Sequence, residues 1–94
     1  MNLMFKTVLI NVSGRVQGVF YRQSTREKAV ALNITGKIKN LPDENVEIIA
    51  TGNKEQLEKL VDWCRQGPPK AQVRNLIVKE IDVQHFDIFS IEYS

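Results

Sequence analysis

Lys6–Leu32 reads KTVLINVSGRVQGVFYRQSTREKAVAL, and the fold follows from how this stretch is divided. Val8, Ile10 and Val12 share one face at a period of two, which predicts a strand over Lys6–Ser13. From Tyr21 the period lengthens. Tyr21, Thr25, Ala29 and Leu32 recur at helical intervals, with Arg26, Glu27 and Lys28 on the outer side. Between strand and helix lies GRVQGVFYR, Gly14–Arg22. A glycine-bearing loop that leads from a strand into a helix turns successive backbone N–H groups inward as an anion cradle. Arg22, at the helix start, adds a planar and permanently charged fork that suits phosphate oxygens.

The reading extends outward from there. Asn33 fits a left-handed helix end, a conformation asparagine tolerates well. Thr35–Asn40 and Val46–Thr51 are two short strands, joined by Leu41-Pro42-Asp43-Glu44-Asn45, a turn by composition. Asn53 caps a second helix, with Gln56 three positions on as a capping box requires. Leu57, Leu60, Val61 and Cys64 form its apolar stripe, and Gly67-Pro68-Pro69 stops it. Val73–Asp82 and Phe86–Tyr93 read as the last strands. The order is β-α-β-β-α-β with an extra short C-terminal strand. Two helices with one apolar stripe each can cover one face of a mostly antiparallel sheet. The expected class is therefore α+β, a ferredoxin-like sandwich, an architecture that serves many functions and decides none.

A chain of 94 residues is expected to form one domain over 1–94. Thirteen basic and eleven acidic residues leave a net charge of +2, which is an ordinary solvated balance and not a basic stripe for nucleic acid. The single cysteine, Cys64, excludes an internal disulfide and lies on an apolar helix face, as a buried inert thiol does. Met1–Phe5 lacks the charged region and long apolar stretch of a signal peptide, and no run is long enough to span a membrane. A cytoplasmic monomer with no membrane partner is expected.

The loop lacks more than it contains. No lysine and hydroxyl pair follows its last glycine, as a Walker A loop needs. Between Gly14 and Arg22 there is no Ser, Thr, Asp, His or Cys to form a covalent intermediate. The only histidine, His85, falls in an expected polar surface loop, and Asp43 and Glu47 read as solvated carboxylates beside a turn. A site this sparse suits phosphoryl transfer through a loose transition state, where positioning and charge stabilisation do most of the work. If the leaving group is itself a carboxylate, with a conjugate-acid pKa near ~4, no general acid is needed to expel it. An acyl phosphate meets that condition. Asn40, ending a strand just before a turn, is the candidate to aim a water, since its amide both donates and accepts. Two other readings compete. The same cradle could bind an anion without turning it over. RNA binding on the open sheet face is disfavoured because Lys6–Ser13 and Val46–Thr51 carry no stacking aromatic.

The chain resembles the acylphosphatases, small enzymes that hydrolyse the carboxyl-phosphate bond. Their loop pattern, G-x-V-Q-G-V-x-[FY]-R, is matched by Gly14, Val16, Gln17, Gly18, Val19, Tyr21 and Arg22. The match continues through Gly36 to Asn40, Asp43, Val46-Glu47, Gly52, Trp63, Gly67-Pro68, Ala71 and Val73, and ends with Phe89, Ile91 and Tyr93. The resemblance implies that Arg22 binds the substrate phosphate together with loop N–H groups from Arg15, Val16, Gln17, Gly18, Val19, Phe20, Tyr21 and Arg22. It implies that Asn40 orients the attacking water, with no metal, no cofactor and no phosphoenzyme. A phosphate oxygen of the substrate then accepts the water's proton. The side chains of Gln17 and Val19 are expected to shape the loop, and Trp63, Phe86, Phe89 and Tyr93 to be core or edge aromatics. Three positions depart from the family pattern: Asn33 for a helix-ending glycine, Lys37 for an aromatic, and Glu44 for a glycine after the turn aspartate. The last is expected to change the backbone geometry of the turn that follows Asn40.

Overall fold

The period-two face at Val8, Ile10 and Val12 becomes β1 (Phe5–Arg15), in a computed structural model that describes residues 5–93. Then follow α1 (Tyr21–Ala31), β2 (Thr35–Asn40), β3 (Val46–Asn53), α2 (Lys54–Gln66), β4 (Gln72–Ile81) and β5 (Phe89–Glu92). Met1–Met4, most of the segment read for a leader, lie outside the described residues. The five strands form one sheet in the order β4-β1-β3-β2-β5. β1 pairs antiparallel with β3 and β4, and β2 pairs antiparallel with β3 and parallel with β5. Each βαβ crossover therefore skips one strand, which is the ferredoxin-like arrangement expected from the element order.

Both helices lie on the same face, α1 over β2 and β5, and α2 over β1, β3 and β4. The fully buried layer between them and the sheet contains Ile10, Val12, Ile38, Val46, Ile48 and Leu60. Ile10 sits opposite Ile48 on one side and Val78 on the other, so the alternation in β1 sets the register of the whole sheet. Asn33 takes the left-handed conformation expected of it, at φ 59°. Burial pushes the Cys64 thiol up to about 12, so it stays protonated and unreactive at neutral pH.

The ends of the elements differ from the sequence reading in places that matter for the site. β1 runs on to Arg15, because Arg15 still pairs with Gln72 of β4. β5 begins at Phe89, not Phe86; residues before it run as a connection whose last carbonyl, Ile88 O, accepts from Gly36 N at 3.0 Å. That connection is pinned to two interior strands, β1 and β3. Gln84 N donates to Thr7 Oγ1 at 2.9 Å, Thr51 Oγ1 donates to Gln84 O at 2.7 Å, and the two hydroxyls meet at 2.7 Å. Buried hydroxyls that pair in this way avoid a desolvation penalty of about 1–3 kcal/mol each. The pinned segment carries β5 to the far edge beside β2, and so brings Glu92 and Tyr93 to the start of α1.

Candidate active site

The loop starts at an irregularity in β1. The register with β4 shifts between Ser13 and Gly14, and Gly14 sits at φ 122°. A Cβ there would collide with the carbonyl oxygen of Gln72, so a bulge at this close approach requires glycine. Further on, Gly18 (φ 73°) and Phe20 (φ 65°) are left-handed while Val19 between them is not. Alternating hands along the backbone point successive N–H groups to one side, as an anion-binding nest does. Nothing lies within 4 Å of a Cβ built on Gly18, so glycine serves there through its φ alone. Among the described residues, no N–H of residues 16–20 donates to a backbone carbonyl.

α1 opens from this loop without a cap. Phe20, its N-cap, makes no side-chain capping bond, and the first turn holds no acidic residue. Tyr21 anchors the helix start instead: its hydroxyl donates to Cys64 O at 2.6 Å and its ring packs 5.9 Å from that of Trp63. Burial holds the Tyr21 phenol above its ordinary value, so it remains a donor. Arg22 follows with its guanidinium 4.8 Å from the centre of the Tyr93 ring, and Nη1 donates to Glu92 O at 3.4 Å. No carboxylate pairs with Arg22 among the described residues. The Glu92 carboxylate is turned to Lys37 Nζ, at 3.7 Å. Lys37 thus ties β2 to β5 through a half-exposed pair worth at most about 1 kcal/mol.

These groups border one cavity of about 380 Å³, lined by Val16, Gly18, Phe20, Tyr21, Arg22, Gln23, Arg26, Asn40, Ile91 and Tyr93. Among the described residues two arginines and no carboxylate line it, so their field favours an anion. Asn40 enters from the end of β2, and its Oδ1 is buried with no hydrogen-bond partner among the described residues. A buried carbonyl oxygen without a partner carries a desolvation penalty of about 1–3 kcal/mol until something donates to it. Asn40 thus brings an unused acceptor to a cavity that Arg22, without a carboxylate partner among the described residues, also lines.

Arg22 and Asn40 line this cavity together with Val16, Gly18, Phe20 and Tyr21 of the expected loop, while the side chains of the remaining three lie elsewhere. Arg15 belongs to β1 and its side chain is exposed, because strand pairing continues past the bulge. Val19 is buried in the core at 6% exposure. Gln17 turns away from the cavity to donate from Nε2 to Leu41 O at 3.0 Å and to Asn45 O at 2.8 Å. Four lining residues had no site role in the sequence reading: Gln23, Arg26, Ile91 and Tyr93. Arg26 stands one helical turn after Arg22 on the same side, a spacing that could have found it. Tyr93, expected as a core or edge aromatic, is 77% exposed and covers the Arg22 guanidinium. In the turn after Asn40 the departure at Glu44 leaves the backbone in a conformation that suits glycine. Glu44 takes φ 74°, where glycine carries no steric penalty, so its replacement appears as strain of about 1–2 kcal/mol on a residue with a side chain.

No group of three or more His, Cys, Asp or Glu placed to hold a metal ion occurs among the described residues. Nor is any helix among them long and apolar enough to cross a membrane.

The sequence model of the Acylphosphatase family matches residues 8–91. An acylphosphatase of Methylococcus capsulatus is 50% identical over 78 residues, covering 83% of this chain and 85% of the relative. Among solved structures, an acylphosphatase from Coxiella burnetii superposes with a TM-score of 0.92 at 39% identity, covering 95% of this chain and 94% of the other. The acylphosphatase from Bacillus subtilis gives 0.91 at 34% identity, over 96% and 100% of the two chains.

Proposed function

The chain belongs to the acylphosphatase family, and on that premise we propose that it hydrolyses acyl phosphates to a carboxylate and inorganic phosphate by direct attack of water, with neither a metal ion nor a phosphoenzyme. The observation that carries this reading is the shared cavity, lined both by Arg22, which pairs with no carboxylate among the described residues, and by Asn40, whose buried Oδ1 has no partner among them. In it, the phosphoryl oxygens accept from the Arg22 guanidinium and from the loop N–H groups. Both kinds of donor are in place before the reaction and need no reorganisation as charge develops. Asn40 Oδ1 accepts a hydrogen bond from the attacking water and so turns a water lone pair toward phosphorus. The P–O bond to the acyl group breaks, the carboxylate leaves as the anion, and a phosphoryl oxygen takes up the water's proton. No acid is required because the leaving group is already a weak base. Among the described residues no Ser, Thr, Cys, His, Asp or Glu lines the cavity, which supports a route without a covalent intermediate.

The test is turnover of a small acyl phosphate such as benzoyl phosphate in excess EDTA. Full activity with inhibition by inorganic phosphate is expected, and complete loss in EDTA would defeat the metal-free reading. Asn40→Ala should lower kcat by ~10²–10³, the usual loss for a positioned transition-state contact, and leave phosphate affinity intact. Arg22→Gln should weaken both. Tight phosphate binding by the unaltered protein with no turnover would mean a binding module in place of an enzyme.

A further inference from the structure

The β2–β3 turn that follows Asn40 is a closed unit. Leu41 N donates to Asn45 O at 2.8 Å and Glu44 N to Leu41 O at 3.1 Å. Asn45 N donates to Asp43 Oδ1 at 3.0 Å, and Asn45 Nδ2 to Asn11 Oδ1 of β1 at 2.9 Å. One side chain of the phosphate loop reaches this unit. Gln17 Nε2 uses both of its hydrogens, one on Leu41 O at 3.0 Å and one on Asn45 O at 2.8 Å. Both partners are carbonyl oxygens, so only the nitrogen end of the amide can face them. The bonds span the two ends of the turn, and Leu41 is the neighbour of Asn40. The turn also contains the left-handed Glu44, whose strain favours relaxation of this backbone.

We infer that Gln17 is a positioning residue for Asn40: it fixes the distance between the phosphate loop and the turn, and thereby the angle at which Asn40 presents its amide to water. The inference rests on the reading that Asn40 orients the nucleophile. Gln17 does not line the cavity, so its side chain has no part in holding the phosphate. A displacement of Asn40 by a fraction of an ångström lowers the rate without changing how the phosphoryl group is bound.

The experiment is a double-mutant cycle with benzoyl phosphate as substrate and inorganic phosphate as competitive inhibitor. Gln17→Met keeps the length of the side chain and removes both donors; Gln17→Ala serves in its place if that variant does not fold. The expected result is a fall in kcat of about 10- to 100-fold, with the phosphate inhibition constant within about twofold of the parent. In an Asn40→Ala background the same Gln17 change should cost nothing further, because a group acting only through Asn40 has nothing left to position. Three results overturn the inference: kcat unchanged well below the melting temperature, phosphate inhibition weakened in step with kcat, or full additivity with Asn40→Ala. Should Asn40→Ala itself retain full kcat, the role of Asn40 fails first, which separates the two readings.

Discussion

The two helices of this protein begin in opposite ways. At α2 the helix satisfies its own end: Asn53 Oδ1 accepts from Gln56 N at 2.8 Å, and Gln56 Oε1 accepts from Asn53 N at 2.8 Å. Glu55 adds a negative charge in the first turn, where the helix dipole favours one. At α1 there is no side-chain cap and no acid, the N-cap is a left-handed phenylalanine, and the second helical residue is Arg22. A cation in that position opposes the dipole by about 0.3–1 kcal/mol. Helix N-termini leave N–H groups that need acceptors from somewhere. α2 finds them within the chain. α1 has no such side-chain acceptor, and on the proposed reading that open end is the anion site while the capped end is scaffold.

The largest expected contrast is the response to inorganic phosphate. A ligand that binds only the folded state at roughly 100 times its Kd stabilises it by about 2.7 kcal/mol. For a domain of this size that corresponds to a rise in Tm of about 10–20 °C. Asn53→Ala should leave this shift intact, and Arg22→Gln should abolish most of it at the same phosphate concentration. A scanning fluorimetry series settles it. If Arg22→Gln keeps the full shift, the anion does not bind at the start of α1.

Capping should show the reverse pattern. Asn53→Ala removes the acceptor for Gln56 N, and losses of a cap typically amount to about 1 kcal/mol. Tm should fall by about 4–8 °C, with kcat at 25 °C unchanged. A drop in kcat alongside the lost stability would mean that the α2 end communicates with the cavity, contrary to the division drawn above.

These two ends were unequally legible in the sequence. The α2 cap is local, since Asn53 and Gln56 satisfy each other across three residues, and spacing alone reveals it. The strand at β1, the left-handed Asn33 and the loop itself were readable for the same reason. Each depends on neighbours within a turn or two. The part of the wall made by Ile91 and Tyr93 was not readable, because it comes from a strand some seventy residues after the loop. Tyr93 reaches Arg22 only because β5 runs parallel to β2 at the sheet edge, and no period in the sequence reports which edge receives a short terminal strand. Gln17 was legible as part of the loop but not as a brace, since its partners are backbone carbonyls and any residue type can supply those. Asn40 lies between these cases. Its place at the end of a strand was local information, whereas the unpartnered Oδ1 required the cavity.

The smallest predicted effect sharpens the comparison by making α1 resemble α2. Gln23 is the third residue of α1, exposed and on the cavity wall, at the position that Gln56 holds in α2. Gln23→Glu places a carboxylate in the first turn, where the dipole favours it by about 0.3–1 kcal/mol. Arg22 and Arg26 lie close by to share its charge. In the absence of phosphate the variant should therefore melt slightly higher, by about 1–8 °C. The same carboxylate competes with the substrate for those donors and repels its oxygens. KM for benzoyl phosphate and the inhibition constant for phosphate should rise together, while kcat at saturation changes less. The gain in Tm should shrink as salt is added, since an exposed charge is screened over about 10 Å at 0.1 M ionic strength. A variant that gains stability and keeps its phosphate affinity would show that the open end of α1 is not what the anion needs.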